Sequence, residues 1–170
     1  MKLTRHILAI LALTFAALMP LPSAAGVLEN FAENKTVDAL LRGQTLGAPA
    51  TGYVGLHTTT CVEGSAETEV TGGSYARVAV AASLANWAGT QSAGSTVASS
   101  GTNGTTSNNV AITFPASTAA WGNLQSVGYY DAASAGNQWI CIDLTTPFNV
   151  SAAGITVSFP AGSLQLQIDN

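Results

Sequence analysis

The sequence predicts a mainly β fold: a small antiparallel β-sandwich or barrel-like domain preceded by one short N-terminal amphipathic helix. After residue 49 the chain breaks into short runs rich in Val, Ile, Tyr, Phe and Thr, punctuated by Gly, Ser and Asn clusters. No helical pattern of useful length recurs between these runs, which removes support for parallel βαβ units. A hydrophobic content of 47% with only 8% charged residues describes an ordered chain with a neutral surface, not a disordered one.

The elements follow in order. Lys2 and Arg5 precede an apolar run over 7–21, and small residues Ser23, Ala24 and Ala25 follow it, so residues 1–25 read as an export signal cleaved before Gly26. About fifteen apolar residues fall short of the roughly twenty that span a bilayer, so no stable membrane span is expected after cleavage. Residues 26–170 form the single β-rich domain. Within 26–43, Leu28, Phe31, Val37, Leu40 and Leu41 fall near one helical face before Gly43 ends it. So short a helix is marginal alone and needs a sheet or a neighbouring subunit to pack against.

Strands are expected over 52–59, 74–81, 110–114, 124–131, 138–144, 155–159 and 163–168. Val110, Ile112 and Phe114 share one face of theirs; Leu164, Leu166 and Ile168 oppose Gln165, Gln167 and Asp169. Residues 91–109 are nearly all Ser, Gly, Thr, Ala and Asn, which reads as a long, exposed, flexible loop.

Charge narrows the partners. Beyond residue 25 only Lys35, Arg42 and Arg77 oppose nine carboxylates, a net charge of −6. Three scattered cations cannot line a phosphate-binding groove, so nucleic acid is not an expected partner. Low charge does suit surfaces buried against other subunits. Cys61 and Cys141 are the only cysteines. In an exported chain an even pair admits a disulfide, closing a loop of about eighty residues for roughly 4 kcal/mol; otherwise they are two small buried hydrophobes.

No catalytic constellation stands out. His57 is the one histidine beyond residue 25, and it lies in a strand pattern with Tyr53 and Gly55 on its face, an ordinary strand position. His57 with Cys61 is too small a set for zinc. Glu63, Glu67 and Glu69 lie between two strands but match no calcium loop and read as a solvated acidic turn. Asp131 and Asp143 would serve a glycosidase only if the fold brought them together. Tyr and Trp side chains are expected in the core or at subunit contacts. No cofactor is expected.

The motifs APATGYVGLHT (48–58), EVTGGSYARV (69–78), ITFP (112–115), WG (121–122), GYYDAAS (128–134) and FPAGSL (159–164) follow one another along the chain. On these stretches the chain resembles a family of small bacteriophage virion structural proteins of tail-fibre or head-decoration type, over roughly residues 28–169. The resemblance implies a non-enzymatic virion component with copies of itself and other virion subunits as partners, a homo-oligomer for which a trimer would be suitable. It carries over no active-site residues. Arg77 is expected to pair with a carboxylate such as Asp131. The signal-like N-terminus and the 91–109 loop depart from the family pattern and open an alternative: a secreted, extracellular or periplasmic adhesin-like module that binds host-surface glycans.

Overall fold

The computed structural model describes residues 27–102 and 104–168. The signal-like segment 1–25 lies outside the described residues. The elements run β1 (Val27–Leu28), α1 (Asn30–Leu41), β2 (Thr51–His57), β3 (Val78–Ala81), β4 (Thr105–Ser107), β5 (Ile112–Thr113), β6 (Gly122–Tyr130), β7 (Gln138–Val150), β8 (Ser158–Phe159) and β9 (Gln165–Gln167).

Every pairing is antiparallel. One five-stranded sheet has the order β1-β7-β6-β2-β3, and two ribbons pair β4 with β9 and β5 with β8. The spine is the hairpin β6–β7, in register from Gly122 opposite Val150 to Tyr130 opposite Gln138, with irregularities between Leu124 and Ser126 and between Tyr129 and Tyr130. The sheets stay open, so the sandwich-like alternative holds rather than a closed barrel.

Period-two alternation gives the large sheet two different faces. Val54, Leu56, Val127, Ile142 and Leu144 turn to one side and join Ile112, Phe114, Val157, Phe159, Leu164 and Leu166 from the ribbons and their flanks in a single hydrophobic core. Phe114 and Phe159 meet edge to face at 6.4 Å in that core. On the opposite side β2 and β6 present Gly55, His57, Ser126, Gly128 and Tyr130, and β7 presents Trp139, Cys141 and Asp143. This second face is closed over by the chain between β2 and β3 and by the β1–α1 segment.

Four details differ from the sequence reading. α1 is not driven by its apolar face: Leu40 and Leu41 are 77% and 81% exposed and only Ala32 is fully buried, while docking comes from Phe31 against Trp139 at 5.3 Å. β1, two residues long, has no local signal at all and exists because Val27 and Leu28 pair with Cys141 and Ile140. β3 begins only at Val78, because Gly72, Gly73 and Ser74 all take positive φ and turn the chain, with the Tyr75 amide donating to Gly72 O at 2.8 Å. β4 falls inside the 91–109 stretch, where alternating Thr and Ser carry no apolar signal but the backbone pairs with β9. Just beyond β4, fully buried Asn108 donates through Nδ2 to the carbonyls of Val110, Phe159 and Pro160 and accepts from the Leu164 amide, fixing that end of the segment.

Candidate functional site

The second face of the large sheet concentrates the polar side chains of the fold. Gly55 and Gly128 lie opposite each other across β2 and β6. Their missing side chains make room: a Cβ on Gly128 would sit 2.6 Å from His57 Cε1 and from Tyr130 Cε2, and one on Gly55 would meet Glu69, Tyr130 and Tyr75 at 3.0–3.1 Å.

Into that space fits a chain of hydrogen bonds. His57 Nδ1 lies 2.9 Å from Ser126 Oγ and His57 Nε2 lies 2.6 Å from Tyr130 Oη. Ser126 Oγ donates its only hydrogen to the Thr59 carbonyl at 2.8 Å. It therefore accepts from Nδ1–H, which leaves Nε2 as the acceptor from the tyrosine hydroxyl. Burial holds the imidazole pKa below its ordinary value, against the opposite pull of Glu67 and Glu69. A histidine that donates to its serine is oriented oppositely to the base of a nucleophile pair, and both side chains are fully buried.

Beside it lies an ion pair. Arg77 Nε and Nη2 donate to the two oxygens of Glu69, each at 2.7 Å, and Nη1 donates to the carbonyls of Ala132 and Ala135 at 2.8 Å. The guanidinium also stacks 3.4 Å from the Tyr130 ring centroid. Tyr75 bridges outward, donating to Glu69 Oε1 and accepting from the Leu56 amide, each at 2.8 Å. Burial pushes the Glu69 pKa up, but the hydrogen bonds from Arg77 and Tyr75 outweigh it and hold the carboxylate below its usual range.

At the rim of this network a cavity of about 460 Å³ opens between Glu29, Asn30, Phe31, the 64–67 turn and the start of β7. Glu29 is only 8% exposed and its Oε1 has no hydrogen-bond partner. Burial, and then the charges of Glu67, Glu63 and Glu33, push its pKa up to about 7. Carboxylate oxygens of Glu29 and Glu67 and the Cys141 sulfur lie within 4.8 Å of one another. That sulfur is bonded to Cys61, at an S–S distance of 2.05 Å.

The residues singled out from sequence are thus placed as follows. Arg77 pairs with Glu69 and not with Asp131, because both partners lie in the twenty-residue β2–β3 connection, eight residues apart, with the guanidinium stacked on Tyr130; what Arg77 reaches of the β6–β7 turn is its backbone. Asp131 instead closes that turn through the amide and side chain of Asn137, at 2.7 and 2.8 Å. Asp143 accepts from the Cys61 amide at 2.7 Å. Asp143 and Gln138, the partner of Tyr130, are five residues apart on β7, so about 17 Å of strand separates Asp143 from the Asp131 end, well outside the spacing of paired glycosidase carboxylates. Glu63, Glu67 and Glu69 do not converge on a common point: Glu69 turns inward to Arg77, and Glu67 accepts from the Val62 amide at 3.2 Å. Sequence reasoning missed Glu29, which lies at the N-terminal boundary of α1; nothing local marks it, because its burial comes from β1 docking on β7. Among the described residues no helix is long and apolar enough to cross a membrane.

A family model described as podophage GP4 fiber I protein gp80 matches residues 28–167. The chain belongs to this family. The match runs from the second residue of β1 to the last residue of β9, so both ribbons, the His57–Glu69–Arg77 network and all of the sheet but Val27 fall inside it. Membership makes the chain a phage fibre-type structural protein, in keeping with a polar network that holds two strands and a loop together. No curated protein matches the chain.

Proposed function

We propose that the protein is a non-enzymatic structural subunit of a podophage particle, placed in a fibre or similar appendage and acting through shape-complementary packing with copies of itself and with other virion subunits. The observation that carries this reading is the family match across residues 28–167. Its surface supports it: charge is sparse, and Val37, Leu40 and Leu41 expose an apolar strip on α1 that a second subunit would cover. A closed homo-oligomer, with a trimer as the fibre-compatible state, follows from that packing.

The test is compositional and structural. Mass spectrometry of purified phage particles should find the chain in stoichiometric amount, and cryo-electron microscopy should place repeated copies in an appendage. Particles that lack the chain would overturn the reading.

The disulfide favours a second, finer reading, in which residues 1–25 direct export and the domain matures in an oxidising compartment starting at Gly26. Intact mass of the native protein decides it. A mass beginning at Met1 would remove export, and with it the alternative of a secreted glycan-binding module.

A further inference from the structure

We propose that Glu29 and Glu67 bind one divalent cation of the calcium class, clamping the β1–α1 segment to the loop that follows β2. The inference stands apart from the virion assignment. Oxygens of the two carboxylates lie within 4.8 Å, the span that one calcium ion bridges at about 2.4 Å to each. Glu29 and Glu67 line the same cavity, and Glu29 Oε1 is shielded from solvent with no hydrogen-bond partner of its own.

The protein's own cations are committed nearby. Arg77 holds both oxygens of Glu69, and Lys35 lies 5.7 Å over the Phe31 ring. Two carboxylates at close range with no side-chain cation between them repel, and a bound cation removes that repulsion. Further oxygen donors line the same cavity in the side chains of Asn30, Asn137 and Gln138. The Gln138 Nε2 has no partner where it stands, and a half-turn of that amide would present Oε1 instead. Water would complete the shell, as the cavity is open to solvent. Cys141 offers no thiolate because it is bonded to Cys61, so the donor set is all oxygen and selects a hard cation over zinc.

The rival occupant is a proton shared between the two carboxylates. Calcium chloride titrated into the full protein by calorimetry at about pH 8, where Glu29 is ionised, should give one site with a Kd of about 10⁻⁴–10⁻³ M, the range of sites with few charged ligands. Glu67→Gln should weaken it at least about tenfold, whereas Glu63→Gln, on the exposed turn, should stay within about twofold. About 10 mM calcium should raise the unfolding midpoint by about 5 °C in the native chain and not in Glu67→Gln. Glu67 is half-exposed, so its variant keeps the test available if Glu29→Gln does not fold. Absence of binding heat, an equal affinity in Glu67→Gln, or a calcium-independent midpoint that rises when Glu67 is replaced would each overturn the proposal, the last in favour of the shared proton.

Discussion

Gly128 faces Gly55 across two strands, and the hollow between them decides what β2 can carry. Gly128→Ala would push a methyl to within 2.6 Å of the His57 and Tyr130 rings, both locked by hydrogen bonds, so we expect a loss of about 1–3 kcal/mol by denaturant titration. Arg77 is a second fixed point. Its side chain is 5% exposed, and Arg77→Ala would leave the Glu69 carboxylate without its bidentate partner, costing about 3 kcal/mol; Arg77→Lys should recover only part, because an ammonium cannot supply the fork or the ring stacking. The titrating groups act with opposite sign. His57 and Glu69 have lowered native pKa values, so the native state holds fewer protons than the unfolded chain and stability falls as pH drops below about 6.5 and again below about 4.5. Glu29 has a raised value, so its native state holds more protons between 4.5 and about 7 and stability falls as pH rises through that window. Equilibrium unfolding against pH in a calcium-free buffer should therefore show Glu29→Gln gaining stability relative to the native chain as pH rises from about 4.5 to about 7.

The elements show which parts of the molecule the sequence exposes to reading. β2, β6 and β7 were legible because each carries β-branched and aromatic residues between turn signals, and the core residues Val54, Leu56, Val127 and Ile142 follow from period two alone. β1 and β4 were not, since two residues of backbone pairing and a Thr-Thr-Ser run leave no pattern; their partners lie more than fifty residues away. The candidate site was half legible: His57 was read as a strand residue and lies in β2, yet its bonds to Ser126 and Tyr130 span about seventy positions, and Glu29 acquires its burial from contacts no local window contains. α1 illustrates a different limit, as its apolar spacing is real but meets no partner within the chain. Leu40→Asp with Leu41→Asp should leave monomer stability within about 0.5 kcal/mol, because both side chains are solvated. The same pair of changes should shift the sedimentation profile from oligomer to monomer if the strip is an assembly surface.

At the scale of the whole molecule, one covalent link joins regions that the chain order keeps apart. Cys61 follows β2 and Cys141 lies within β7, 80 positions further along the chain. Replacing both by Ser should cost about 4 kcal/mol in the chain-entropy model, read as a lowered midpoint in chemical unfolding and reproduced by reduction of the native protein. A fibre component is also a mechanical part, and here the link sets how far the molecule can stretch. Tension applied between the two ends of the domain can peel β1, α1 and β2 from one side and the chain beyond Cys141, β8 and β9 included, from the other, but it reaches a covalent stop before β3, β4, β5 or β6 is placed under load. Between 61 and 141 the chain is shielded from force. In a single-molecule pulling experiment the oxidised domain should come up short by about 270 Å of contour length, and a reductant should release that length in one additional step.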